Sequence, residues 1–330
     1  MNVVQSLREL EAFYAVKPVI APNLFLIGAM RSGTTTLHNL IAQHPEIFMS
    51  ANKEPMFFLA EALREMIRND GGEKQIALKK QLADFVSGGK FREVEKYRML
   101  FSSAGDYSWR GESSHYLNHK VTAAEIFKHA PEARIIVSLR NPVDRLYSEY
   151  LLYQRLGREE GNFSDFVWEG CQFDKKGRFL SAPVGNRINK GFYSKLLQPW
   201  MDLFGESQVK IVLFEDLCRD PGDVCQSIYS WLGLADDFQP KIIHAQRSGI
   251  PKTKAIGEWM RTDGIMKKIL KNITPKDARV KVRDIAYRIL LDNNNMSSGL
   301  RKKLFTIYQS DIESLELLIN RDLSNWKSIN

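Results

Sequence analysis

Cysteine is scarce in this 330-residue sequence: there are three residues, and none belongs to a CxxC pair. A disulfide scaffold and a cysteine-rich zinc site are therefore disfavoured, and a reducing compartment is expected. No apolar run approaches the roughly 18 residues that span a bilayer. The first 20 residues also lack the basic start and unbroken apolar centre of a secretory signal. These absences predict a cytoplasmic protein without a transmembrane segment.

A large charge of one sign is also lacking. The chain has 47 Lys and Arg against 39 Asp and Glu, a net charge of +8. This surplus suits an anionic ligand but is too small to indicate a nucleic-acid partner, and none is expected. Most of it lies in residues 252–283, which carry ten basic residues and three acidic ones. A solvated helical face explains this segment, and a surface for an anionic acceptor or for peripheral membrane contact is the alternative.

Internal repeats and low-complexity tracts are absent from the sequence, and short apolar runs alternate with amphipathic stretches. The runs predict buried strands at residues 23–28, 134–139 and 209–214, with weaker candidates at 46–50 and 107–112. The pattern at 304–323 predicts an amphipathic helix that packs on a core. Continuously apolar strands separated by helices are typical of an α/β fold with three layers, in which helices flank a central parallel sheet. We expect a single domain over residues 1–330, with residues 1–21 as an N-terminal extension.

The most informative motif is the sequence GAMRSGTT at residues 28–35, which joins the first predicted strand to a helix. Glycines let the backbone approach an anion, successive N–H groups converge on it, and the helix N-terminus adds positive potential. The outline matches the P-loop of kinases and ATPases, but Thr34 replaces the lysine expected after the second glycine, and Arg31 lies inside the loop. A kinase or NTPase that uses ATP and Mg²⁺ is therefore the weaker alternative. A plain glycine-rich turn is a further one.

A second anion site is predicted at the end of the 134–139 strand. Arg140 ends this strand, Asn141 is a favourable N-cap, and Pro142 suits the first helical position. Helical spacing then allows Arg140 and Ser148 to converge on one phosphate, with the arginine as a bidentate donor. A simple ion pair between Arg140 and a nearby carboxylate is the alternative.

Four segments taken together resemble the PAPS-dependent sulfotransferases, in their carbohydrate (heparan-sulfate-like) branch and its bacterial relatives. They are the turn at 28–35, KEPMFF at 53–58, GESSHYL at 111–117 and RNPVDRLYS at 140–148. The third segment is similar to the family's Gly-Glu-x-Ser/Thr-Pro-x-Tyr motif, but it is one residue short and lacks the proline. The resemblance extends from about residue 22 to the end of the chain.

This resemblance implies a P-loop-like fold, PAPS as the co-substrate and no metal. It places the 5′-phosphosulfate in the turn and the 3′-phosphate on Arg140 and Ser148. It also puts Tyr193 near the adenine, where core packing explains this residue equally well. The cofactor-binding residues expected are Arg31, Ser32, Gly33, Thr34, Thr35, Thr36, Arg140, Ser148, Tyr193 and Lys252.

Glu54 is the candidate general base, because an attacking hydroxyl must lose its proton. It precedes Pro55, which predicts an extended residue that caps a helix, and Lys53 beside it favours a low pKa. A plain capping role is the alternative for Glu54. His115 is the second candidate base, although a lone histidine is more often structural. Arg31 is expected to stabilise charge on the transferring group.

The function predicted is transfer of the sulfuryl group of PAPS, in line, to a hydroxyl or amine. The acceptor expected is a carbohydrate-like or other small molecule, such as an oligosaccharide or glycolipid, and the basic 252–283 stretch favours an anionic one. Acceptor-binding loops are expected at 60–107 and 157–190. Besides the kinase alternative, a protein that binds the nucleotide without catalysis remains as a third hypothesis.

Overall fold

The computed structural model describes residues 22–69, 93–159, 161–183, 185–235, 237–242, 250–251, 291–292 and 296–327. Two predicted segments lie outside the described residues: the N-terminal extension at 1–21 and the basic stretch at 252–283, whose first residue is Lys252. The chain divides into two compact units, one of Met1–Arg140 with Lys195–Ile243 and one of Asn141–Ser194 with His244–Asn330. A single domain over the whole chain stays a prediction. In the part described, no helix is both long and apolar enough to cross a membrane.

The first unit is built on a sheet of five parallel strands in the order β2-β3-β1-β4-β7. Its strands are β1 (Leu24–Leu26), β2 (Ile47–Met49), β3 (Trp109–Ser113), β4 (Arg134–Leu139) and β7 (Val209–Leu213). Its helices are α1 (Thr34–Ile41), α2 (Phe57–Asn69), α3 (Val94–Met99), α4 (Lys120–His129), α8 (Phe214–Arg219) and α9 (Pro221–Trp231), and α7 (Tyr193–Gln208) begins at the boundary between the units. All five predicted strands are present, and the predicted α/β class is confirmed.

The strands bury both faces of the sheet, and this explains why their sequences are continuously apolar. Leu24 and Leu26 of β1 pack on one face with Leu37 of α1 and Ile228 of α9. Phe25, one residue out of phase, points to the other face, where its ring lies 5.5 Å from that of Phe58 in α2. Strand alternation thus gives β1 two helical layers. Beyond β1, Gly28 has a φ of 137°, and its carbonyl still accepts from the Ser138 amide of β4.

The second unit contains α5 (Pro142–Arg155), α6 (Phe163–Trp168), α10 (Ser298–Ile319) and the short pairs β5 (Gln172–Phe173) with β6 (Phe179–Ser181) and β8 (Ile250–Pro251) with β9 (Leu291–Asp292). Its core holds a fully buried ion pair in which Arg145 Nη1 lies 2.7 Å from Glu149 Oε2. Lys190 adds a second cation at 2.7 Å from Glu149 Oε1. The predicted C-terminal helix begins earlier than expected, because Ser297 caps it, and it ends at Ile319 because Asn320 is left-handed, with φ of 47°.

A buried carboxyl group lies on β3 of the first unit. The side chain of Glu112 is fully buried, and neither of its oxygens has a hydrogen-bond partner of normal geometry among the described residues. Burial raises the pKa of Glu112 to about 8, although the nearby hydroxyls of Tyr116 and Tyr97 lower it in part. The folded protein therefore holds Glu112 as a neutral acid at neutral pH.

This carboxyl predicts a specific pH dependence of stability. A pKa raised on folding gives stability that is present below the unfolded value of 4.5 and is lost as pH rises towards 8. Glu112→Gln removes the titration. The free energy of unfolding of the variant, relative to that of the wild type, should therefore increase by roughly 2–3 kcal/mol between pH 5.5 and pH 8.5. Urea unfolding of both proteins at the two pH values measures this. Parallel pH profiles would contradict it, and Glu95→Gln, on an exposed side chain, is the matched control.

Candidate active site

The carboxyl ends of the five parallel strands lie at one edge of the sheet, where open α/β folds bind ligands. The segments that follow them carry most of the predicted site residues of this unit. These segments are 27–36 after β1, 50–56 after β2, 114–115 after β3, Arg140 after β4 and Phe214 after β7. Parallel pairing therefore gathers segments that are far apart in the sequence.

The turn after β1 has the backbone geometry of an anion site. Arg31 and Gly33 are both left-handed, with φ of 69° and 79°, and such alternation in a turn makes N–H groups converge. Ser138 of β4 holds the turn, since its Oγ donates to the Ser32 carbonyl at 2.5 Å. The Ser32 hydroxyl itself is buried and has no partner among the described residues. An unpaired buried donor in this position favours a polar ligand.

Helix α1 presents its N-terminus to this turn. Gly33 is the N-cap, no side chain caps the helix, and its first turn has no acidic residue. The amide groups at residues 34–36 are thus not used by a capping side chain, and the helix dipole favours an anion there. Gly33 is required for two reasons: its φ is left-handed, and an added Cβ would lie 2.9 Å from the Phe214 ring and 3.0 Å from Leu217.

The segment after β2 brings the predicted base to the turn at residues 28–35, named the phosphate turn below after the ligand that its sequence predicts. Lys53 Nζ donates to Thr35 Oγ1 at 2.8 Å, and the Glu54 amide donates to the Ser113 carbonyl at 2.8 Å. The prediction that Glu54 is extended and caps a helix is wrong, because its φ is 59° and α2 begins only at Phe57. The hydrogen bond from the Glu54 amide to Ser113 holds this strained conformation. The side chain therefore does not point in the direction that an extended backbone would give it.

The two candidate bases are in contact with each other. His115 Nε2 lies 2.9 Å from Glu54 Oε1, and a carboxylate only accepts, so Nε2 carries the proton. The hydrogen bond from His115 is the largest cause that lowers the pKa of Glu54, and the charge of Lys53 acts in the same direction against partial burial. Glu54 is half-exposed and ionised at neutral pH, as expected, but His115 rather than Lys53 is the main reason.

A neutral histidine lies beside this pair. His38 of α1 is buried, and its Nδ1 lies 2.7 Å from the Ser113 hydroxyl. Burial lowers the pKa of His38 to about 4, and the positive charge of Lys53 lowers it further. His38 therefore adds a dipole to the site, without a charge, at neutral pH.

Arg140 packs against the phosphate turn. Its Nη1 is 3.4 Å from the Arg31 carbonyl, and its guanidinium lies over the Phe214 ring at 4.6 Å from the centroid. Ser148 is buried in α5, which Asn141 caps as predicted and Pro142 begins. Because Arg140 and Ser148 belong to different units, their joint binding of one phosphate stays a prediction.

Tyr193 is fully buried, and its ring centroid lies 6.1 Å from that of Trp326. Packing is sufficient to explain this residue, and its predicted contact with adenine stays a prediction.

The sequence-based interpretation missed several side chains that shape the site. Lys53 was noted only as a neighbour of Glu54, and nothing was assigned to Ser138, Phe214 or His38. Only His38 left a signal, because it is a histidine three residues after the glycine-rich turn, among the apolar positions Leu37, Leu40 and Ile41 of α1. The hydrogen bond of Ser138 and the ring contacts of Phe214 depend on strand order, and the periodicity of the sequence does not contain that information.

No cluster of three or more metal-ligating side chains occurs in the described portions of the chain. A cavity of about 310 Å³ is lined by residues at the amino ends of β2 and β3, among them Glu46 and Asp106. It opens at the opposite end of these strands from the phosphate turn. We place the candidate site at the carboxyl edge, where the donors converge.

The chain is similar in sequence to curated sulfotransferases. The chain is 26% identical over 249 residues to mouse carbohydrate sulfotransferase 15, an alignment that covers 64% of this chain and 44% of the relative. It is 23% identical over 255 residues to the Xenopus laevis bifunctional heparan sulfate N-deacetylase/N-sulfotransferase 1, with 72% of this chain and 26% of the relative covered. The chain thus spans less than half the length of either curated relative.

A solved structure covers nearly the whole chain. The crystal structure of a sulfotransferase from Alicyclobacillus acidocaldarius superposes with a TM-score of 0.65 at 25% identity, over 94% of this chain and 100% of the other. The model of the sulfotransferase family matches residues 22–239, which include every strand of the parallel sheet and the turn at 28–35. The chain belongs to the sulfotransferase family.

Proposed function

We propose that the protein transfers the sulfuryl group of PAPS to a hydroxyl or amine of a carbohydrate-like acceptor, with Glu54 as the general base. One observation carries this proposal: the contact of Lys53 with Thr35 places the adjacent Glu54 beside an uncapped helix N-terminus. A carboxylate next to an anion site is the arrangement that transfer to a hydroxyl requires. Membership of the sulfotransferase family supports the reaction class.

The first unit supplies donors for the 5′-phosphosulfate end of the co-substrate. The backbone amides of Gly33, Thr34 and Thr35, the Ser32 hydroxyl and the Arg31 guanidinium are suited to its oxygens. Arg140 adds a fork-shaped cation for a second phosphate group. The Ser32 hydroxyl supports this assignment, because it is a buried donor that has no protein partner in the described structure and that a phosphate oxygen would satisfy.

PAPS supplies an electrophilic sulfur and a phosphate leaving group. The acceptor oxygen forms a bond to sulfur while the bond from sulfur to the bridging phosphate oxygen breaks, and that oxygen keeps the electron pair. Glu54 takes the proton of the acceptor hydroxyl. Arg31 and the amides of the turn stabilise the negative charge that develops on the phosphate side. The atoms and charges balance without a metal ion.

The acceptor class rests on the relatives. Both curated relatives carry names that specify carbohydrate or heparan sulfate sulfation. A carbohydrate-like acceptor, with a hydroxyl or an amine as the reacting group, is therefore the proposal for this chain. The predicted acceptor loops at 60–107 and 157–190 are described only in part.

The 3′-phosphate assignment predicts a selective loss of affinity. Arg140→Ala should weaken adenosine 3′,5′-bisphosphate by roughly 10- to 100-fold, because a charge-assisted hydrogen-bond pair is lost, and should change ADP binding far less. Titration calorimetry with both ligands and with ATP–Mg²⁺ measures this. Equal weakening of bisphosphate and ADP would remove the assignment, and wild-type preference for ATP–Mg²⁺ would favour a kinase. Arg219→Ala, on an exposed arginine of α8, is the control.

If Glu54 is the general base, its loss should reduce turnover without reducing nucleotide binding. Glu54→Gln should bind adenosine 3′,5′-bisphosphate within about twofold of the wild type, yet lose roughly 10²- to 10⁴-fold in turnover. Transfer of radiolabelled sulfate from PAPS to a panel of glycosaminoglycan fragments and glycolipids gives the rate. If the variant keeps its turnover, the base lies elsewhere. Glu95→Gln removes one exposed carboxyl without touching the site and serves as the control.

The contact between Glu54 and His115 predicts a shift of the acid limb of the rate profile. Loss of the His115 hydrogen bond removes the main cause that depresses the Glu54 pKa, so His115→Phe should raise that pKa. The acid limb of kcat/KM should move to higher pH, since the base then protonates earlier. His115→Gln, which retains an N–H donor, should shift it less. Identical profiles in all three proteins would show that His115 does not act on Glu54.

A further inference from the structure

The phosphate turn lacks the lysine that a P-loop carries after its second glycine, and Thr34 stands in that position. The cation of the turn itself, Arg31, precedes that glycine and is held in a left-handed conformation. A helix N-terminus and one guanidinium must then neutralise the multiply charged end of the co-substrate. The structure offers a further cation from another part of the chain.

That cation is Lys53, which reaches the turn from the segment after β2. Its Nζ donates to Thr35 Oγ1 at 2.8 Å, in the first turn of α1. It approaches the anion site from a different strand than the P-loop lysine would. The contact joins the segments that follow β1 and β2, two strands that are not neighbours because β3 lies between them in the sheet.

The charge of Lys53 is poorly compensated where it lies. Its hydrogen bond goes to a neutral hydroxyl, and no ion pair with a carboxylate is found for it among the described residues. Partial burial lowers its pKa, and the neighbouring Glu54 offsets this only in part. His38 nearby is neutral and provides no counter-charge. A partly desolvated ammonium with these partners favours an anionic ligand.

We propose that Lys53 binds the 5′-phosphosulfate end of the co-substrate and replaces, from a separate segment, the lysine that the turn lacks. Its place beside Glu54 then couples donor binding to the position of the base, because adjacent residues of one strained segment contact the donor and the acceptor. This inference rests on the proposed function and assigns a residue that neither the motif nor the family match assigns.

The test uses two ligands that differ only at the 5′ end. Adenosine 3′,5′-bisphosphate carries the 5′-phosphate, and adenosine 3′-monophosphate does not. Lys53→Met keeps most of the stem and removes the charge, so it should weaken the bisphosphate by roughly 10- to 100-fold, by titration calorimetry. It should leave the monophosphate within about twofold. Lys53→Arg, which keeps a cation, should recover most of the affinity.

Controls separate this inference from a general effect and from the proposed function. Lys96→Met removes one charge from α3, where Lys96 pairs with Glu93 on an exposed face, and should change neither affinity. Lys53→Gln gives a second neutral variant should Lys53→Met fail to fold. Equal weakening of both ligands, or unchanged bisphosphate affinity with a loss of turnover, would overturn the role of Lys53. Failure of the wild type to prefer the bisphosphate over ADP would instead overturn the proposed function.

Discussion

The site depends on parallel pairing that continues beyond the ends of the strands. The Ser114 amide donates to the Leu26 carbonyl at 3.1 Å, and the Leu117 amide donates to the Ile27 carbonyl at 2.9 Å. The Glu54 amide makes the equivalent bond to Ser113 at 2.8 Å. These bonds carry the pairing of β2, β3 and β1 into the loops, beyond the point where the regular strand register ends. Because of them, the phosphate turn, the candidate base and its histidine partner have fixed positions relative to one another.

These loop hydrogen bonds hold backbone conformations that would otherwise be costly. Arg31, Glu54 and Met56 are left-handed residues that are not glycine, and such residues cost on the order of 1–3 kcal/mol each. The amides of Glu54 and Met56 are held by Ser113 and the Ser114 hydroxyl. Strained residues that their surroundings hold in place cluster at functional sites in proteins, and these three lie in segments at the carboxyl edge of the sheet.

The protonation states of three titratable groups in the first unit also depend on their surroundings. Glu54 stays ionised because His115 donates to it, while His38 stays neutral because it is buried near Lys53. Behind them Glu112 is a buried neutral acid in the core. An ionised carboxylate, a neutral histidine and the cations Arg31, Lys53 and Arg140 thus lie near the same edge of the sheet. Environment rather than residue type sets the protonation state of each group.

The fold class was predictable because burial on both faces leaves long apolar runs in the sequence, and β4 was found at the predicted bounds, Arg134–Leu139. The turn at 28–35 and the cap at Asn141 were predictable as well, since both are local and follow from residue type at fixed spacing. The limits of β1 were less accurate, since the strand is Leu24–Leu26, although Gly28 and Ala29 still exchange hydrogen bonds with Ser138 beyond its end.

The sequence by itself determined the strands of the sheet, the glycine-rich turn at residues 28–35 and Glu54 as a candidate carboxylate. Only the tertiary structure decided that His115 contacts Glu54, that Lys53 reaches Thr35 and that Ser138 holds the turn. The physical reason is that hydrophobic periodicity specifies which face of an element is buried, whereas these contacts follow from strand order. Strand order is fixed by backbone pairing across the whole sheet, and no local stretch of sequence contains it.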